Sequence, residues 1–125
     1  MGSFYTSCIV QNHTERDRIA AVPRILVDTG SEHTWIPETL LEQIGIIPEE
    51  KLLYLILANG QRVSRHIGFA IVRLGERSTI DEVVFAVEGD LPLLGARTIE
   101  SLNLVVDPVE KKLVDRGPIP AAAGV

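Results

Sequence analysis

The chain has 125 residues, 46% hydrophobic and 23% charged, with 17 acidic residues against 12 basic and a formal net charge of −5. That length suits one domain with a real core, and the acidic balance excludes the basic footprint of a non-specific nucleic-acid binder, Lys111-Lys112 being too short to count. No apolar run reaches membrane-spanning length and no signal-peptide pattern opens the chain. A single cysteine, Cys8, cannot close an internal disulfide, so a reducing, cytoplasmic location is the expectation.

Taken in order, Phe4 to Val10 reads as a strand and the polar run Gln11 to Asp17 as its boundary. Arg18 to Val27 returns as the second strand of a hairpin, and Pro23, lacking an N–H, belongs at an edge or a bulge. After the loop from Asp28 to Thr34, Trp35 and Ile36 plug into the core. Pro37 suits the first position of a helix over residues 37–45, with Leu40, Leu41 and Ile44 at helical spacing and Gly45 as its stop. Leu52 to Ala58 is strand-like. Asn59-Gly60 predicts a type I′ hairpin turn with positive φ at both residues. Gln61 to Leu74 is a long strand in which Gly68 marks a bend, and Thr79 to Val87 is another strand. Leu91 to Leu94 is a short buried strand ending at Gly95, and a second helix covers residues 96–102. Leu104 to Val106 and Lys112 to Asp115 pair around a turn at Asp107-Pro108. A domain over residues 1–117 and a mobile tail over 118–125 follow from that order. Many short strands, frequent turns and two short helices predict a mostly-β closed, barrel-like domain.

Arg24-Ile25-Leu26-Val27-Asp28-Thr29-Gly30-Ser31 organises the rest. A buried strand delivers an acid into a loop, and burying that carboxylate is costly unless it is hydrogen-bonded or does chemistry. Thr29 offers a hydroxyl, Gly30 a backbone that can turn sharply or approach another group, and Ser31 a hydroxyl that could donate to the carboxylate and favour its charged form. Taken alone, the stretch also fits a strand followed by an Asx-type turn.

The run of apolar residues into Asp28-Thr29-Gly30-Ser31 resembles the catalytic loop of aspartic proteases. Leu93-Leu94-Gly95 before a helix resembles the second signature of the retroviral-type, single-domain branch, over roughly residues 5 to 115. The resemblance implies Asp28 as the catalytic acid, with Thr29, Gly30 and Ser31 as support. Thr29 would hydrogen-bond across a two-fold axis, and Ala58-Asn59-Gly60 would be the flap over bound peptide. An aspartic protease needs two carboxylates sharing a proton, because two close like charges do not both ionise. This chain has one Asp-Thr-Gly, so the second carboxylate would come from a second copy: a homodimer acting on a peptide or protein substrate. One position departs from the branch. The residue after Gly95, usually an arginine bracing the dimer, is Ala96, and Arg97 is a possible substitute.

No cofactor or metal is expected, since His13, His33 and His66 lack metal-ligand spacing, and no Ser motif makes a triad with His33. No glycine-rich phosphate loop appears. Met1-Gly2 with Thr6 fits an acylation pattern of little weight. The competing readings are a non-catalytic dimerisation or peptide-binding domain of the same fold, and an unrelated β-barrel binding domain with a chance motif.

Overall fold

The computed structural model describes residues 3–121. Met1-Gly2 of the acylation pattern and residues 122–125 of the expected tail lie outside the described residues. The chain is mostly β. Its elements are β1 (Phe4–Gln11), β2 (Ile19–Val27), β3 (Thr34–Pro37), α1 (Glu38–Gln43), β4 (Leu52–Ile56), β5 (Arg62–Leu74), β6 (Arg77–Ala86), β7 (Leu93–Leu94), α2 (Ala96–Ser101), β8 (Leu104–Asp107) and β9 (Lys112–Asp115). No helix of the described residues is long and apolar enough to cross a membrane.

Seven strands form one sheet in the order β1-β2-β7-β3-β6-β5-β4, and β1 also pairs with β5, so the sheet curls into a ring with β4 outside it. β8 and β9 make a separate two-stranded sheet. The β1–β2 register slips between Thr6 and Cys8, opposite Pro23, which removes the ladder position a proline cannot fill. Inside the ring sits an apolar core that includes Val10, Ile25, Ile36, Leu41, Val72, Val83 and Leu94. Full burial of each such aliphatic side chain stabilises by about 1.5–3 kcal/mol. Burial of Cys8 among them pushes its thiol up to about 12, which leaves it protonated and unreactive. A smaller cluster of Trp35, Ile67, Val84 and Ala86 underlies the β4–β5 hairpin, with Leu53, Leu55 and Leu57 packed against it.

Three local expectations change. Pro37 does not begin α1. Thr34–Pro37 pairs in parallel with Val83–Ala86, which keeps Pro37 extended at φ −50°, ψ 129°, and the helix starts at Glu38. α1 then ends before Ile44, with the Gly45 N–H on Glu42 O. α2 stops one residue short of the expectation, at Ser101. The β4–β5 turn is not type I′, because only Gly60 has positive φ, 84°. Gly60 N–H donates to Leu57 O and Leu57 N–H to Gln61 O, a type I turn over Ala58-Asn59 followed by a left-handed glycine. The Asn59 side chain accepts from Gln61 N–H at 2.9 Å, and the register lies one residue from that expected. β5 passes from β4 to β6 as partner between His66 and Ile67, next to Gly68. A Cβ on Gly68 would come within 2.9 Å of Ile46 and Phe85, so close packing requires this glycine.

Candidate active site

β2 delivers Asp28 by pairing Leu26 and Val27 in parallel with Leu93 and Leu94 of β7, and the Asp28 N–H continues that ladder onto Leu94 O at 3.0 Å. The two sequence motifs, 65 residues apart, are therefore one unit. The loop then turns: Ser31 N–H donates to Asp28 O at 3.2 Å, and Gly30 N–H donates to Asp28 Oδ1 at 2.9 Å. A Cβ on Gly30 would lie 3.1 Å from that oxygen, so glycine lets the backbone reach its own carboxylate. Asp28 is half-buried, and Thr29 and Gly30 are exposed.

The returning side of the loop lies on the start of α2. Ala96 N–H donates to Ser31 O at 2.8 Å and Arg97 N–H to Glu32 O at 3.0 Å. Gly95 N–H donates to Thr34 Oγ1 at 3.0 Å. Thr34 Oγ1 lies 2.6 Å from Thr98 Oγ1, and Thr98 donates to Asp81 Oδ2 at 2.8 Å. Thr98 has one hydroxyl proton and spends it on the carboxylate, so Thr34 donates to Thr98. Thr34 and Thr98 are 0% exposed and Asp81 9%. This buried chain ties β3, α2 and β6 beneath the loop, and each polar atom in it has a partner.

Ser31 does not donate to the Asp28 carboxylate. Its hydroxyl donates to His33 O at 3.1 Å, because the loop bends its side chain toward the return strand. His33 is buried and faces Glu82, its Nε2 3.1 Å from Glu82 Oε1 and 3.1 Å from Arg97 Nη1. One ring nitrogen serves one partner at a time, donating to Glu82 or accepting from Arg97. Arg97 thus lies against its own chain, 3.8 Å from Glu82 Oε1, with Lys51 Nζ 3.6 Å from Glu82 Oε2. Burial raises the Glu82 carboxyl. The His33 hydrogen bond and the charges of Lys51, His33 and Arg97 together outweigh it and hold the carboxyl below its ordinary value.

Above the loop runs a groove of about 650 Å³, floored by Asp28 and walled by Trp35, Leu55, Leu57, Leu91 and Leu93. Ala58 at the hairpin tip lines it too. Asn59 and Gly60 cap the tip and are exposed. The walls are mainly apolar, and Asp28, Glu32 and Asp90 are the acids among the lining residues.

A family model described as aspartyl protease matches residues 20–106. The chain belongs to the aspartyl protease family. No curated protein matches it. The matched span runs from within β2 to within β8 and takes in Asp28-Thr29-Gly30, the hairpin and Leu93-Leu94-Gly95. In this aspartyl protease domain, Thr34, Asp81 and Thr98 escaped the sequence reading. An acid pair, Asp81-Glu82, interrupting the apolar strand β6 was the available signal, since a buried acid needs partners.

Gly60 offers a direct test of the hairpin. A side chain there meets nothing within 4 Å, so the only obstacle to valine is its positive φ. Gly60→Val is expected to raise the KM for peptide about tenfold while lowering the melting temperature by no more than about 5 °C. Unchanged kinetics would leave the hairpin without a part in binding.

Proposed function

We propose that the protein is an aspartic endopeptidase active as a homodimer, with one Asp28 from each subunit at a shared two-fold axis. The observation that carries this reading is the half-buried Asp28 at the floor of the groove, its neighbours Thr29 and Gly30 turned outward where a second copy would meet them. The full sequence has one Asp-Thr-Gly, and one carboxylate does not run the chemistry.

In the dimer, the ionised Asp28 takes a proton from a water held between the two carboxylates. The water oxygen attacks the peptide carbonyl carbon, and the carbonyl oxygen takes the proton of the other Asp28. The C–N bond then breaks as a proton passes to the amine nitrogen, giving a carboxylic acid and an amine. Thr29 of each subunit would hydrogen-bond across the axis beneath the carboxylates. Trp35, Leu55, Leu57 and Leu93 favour apolar substrate side chains beside the cleaved bond. The dimer would lack an arginine brace from position 96, and Arg97, the substitute for it, lies beside His33 and Glu82 of its own chain.

Assembly is therefore expected to be concentration-dependent. Sedimentation should show a monomer–dimer equilibrium, and below its midpoint cleavage should scale with the square of protein concentration. Full specific activity from a monomer at high dilution would refute the shared site. A stable dimer that cleaves nothing would favour the peptide-binding alternative.

A further inference from the structure

The β4–β5 hairpin is lightly anchored. From Ile67 onward β5 pairs with β6, but Arg62 to His66 pair only with β4, itself the edge of the sheet. Leu53, Leu55 and Leu57 on the inner face rest against the Trp35 cluster. Apolar contact is non-directional and does not by itself set the height of a lid. Arg65, opposite Leu53 in the ladder and so on the same inner face, adds a directional contact.

Arg65 Nε lies 2.7 Å from Asp90 Oδ2 and Arg65 Nη2 2.8 Å from Asp90 Oδ1, a bidentate pair with side chains 15% and 9% exposed. Asp90 is itself presented rigidly. Its Oδ2 accepts Val87 N–H at 2.9 Å, and its own N–H donates to Val87 O. The same loop runs on through Leu91 and Pro92 into β7, whose Leu94 O receives the Asp28 N–H, so the contact joins the hairpin to the strand that seats the acid.

We propose that the Arg65–Asp90 pair is a latch that holds the β4–β5 hairpin at its closed height over the groove. Arg65 and Asp90 are then positioning residues for peptide binding. The proposal rests on the reading of the groove as a peptide site. Paired, shielded and planar, the contact belongs to the strong class of hydrogen-bonded ion pairs, and it supplies the direction that the leucines lack. The Arg65 hydrogen bond holds the Asp90 carboxyl below its ordinary value, burial opposing it and the Val87 N–H and the Arg65 charge adding to it. A carboxyl lowered in the folded state keeps its stabilising pair above the ordinary aspartate range and loses it only as pH falls through the lowered value. The latch therefore persists as pH falls until that lowered value is reached.

The test measures amide hydrogen exchange of the substrate-free full chain together with peptide kinetics, in the parent, Arg65→Gln, Asp90→Asn, the double variant and Arg65→Lys. Hairpin amides over residues 52–66 should exchange about tenfold faster in either single variant, with β1–β2 unchanged. KM should rise about tenfold while kcat stays within about threefold. The double variant should be no worse than the singles, because each removes the same contact. Arg65→Lys, which keeps the charge and loses the fork, should fall between parent and Arg65→Gln, and it carries the test if a neutral variant does not fold. Unaltered hairpin exchange would overturn the proposal, and so would faster exchange spread evenly over the chain. A parent that cleaves no peptide would remove the proposed function, while hairpin exchange would still decide the latch.

Discussion

Replacing Asp28 with asparagine is expected to lower peptide cleavage roughly 10³-fold or more and to leave the fold intact. Asparagine keeps the shape of aspartate and can still accept the Gly30 N–H through its amide oxygen, so the turn at 28–31 survives. It cannot take a proton from water or hold the shared proton, so the nucleophile is not activated. Stability should hold or rise, because two carboxylates close to one another repel. Digestion of a peptide library by parent and variant, each checked by circular dichroism, measures the difference. Equal cleavage by both would remove Asp28 from the chemistry.

Gly95→Ala is expected to destabilise the protein by about 3 kcal/mol or more, a large share of the stability of a domain this size. A Cβ at Gly95 would lie 2.3 Å from His33 O, 2.5 Å from His33 C and 2.7 Å from Glu32 O. All three are backbone atoms of the loop that follows Asp28, held by Ala96 N–H and Arg97 N–H on Ser31 O and Glu32 O, so no side chain can swing aside. Relief requires the loop to lift from α2, which breaks the Gly95 N–H bond to buried Thr34 and leaves polar groups unpaired. Urea unfolding of parent and variant gives the figure directly. A loss below about 1 kcal/mol would mean that the loop and the Leu93-Leu94-Gly95 motif are less tightly joined than described.

Much of this was legible in the sequence, for reasons that differ between elements. The strands from Phe4, Ile19, Arg62 and Lys112 stood out because alternating or continuous apolar runs ended at turn residues. β3 did not, because four residues between a loop and a helix carry no period, and only the parallel partner β6 makes them a strand. The turn at Asn59-Gly60 was legible as a turn but not in type, since its backbone bonds close from Leu57 rather than Ala58. At the site, Asp28 and Gly95 were visible through motifs that fix local backbone. That Gly95 faces His33 and Glu32 was not visible, because the contact spans 62 residues. The same limit hid Thr34–Thr98 and Arg65–Asp90, pairs separated by 64 and 25 residues. Polar partners in a fold are chosen by topology, and a threonine or arginine looks alike in sequence whether it meets water or a buried acid.

Subunit mixing decides whether two copies of Asp28 make one catalytic site. A fixed amount of parent is incubated with rising excess of Asp28→Asn, subunit exchange is confirmed by differently labelled chains, and peptide cleavage is followed. A mixed dimer has one carboxylate, so cleavage should fall toward that of the variant as parent subunits are drawn into mixed pairs. Cleavage that stays constant while exchange is complete would show that each subunit works alone and would contradict the account.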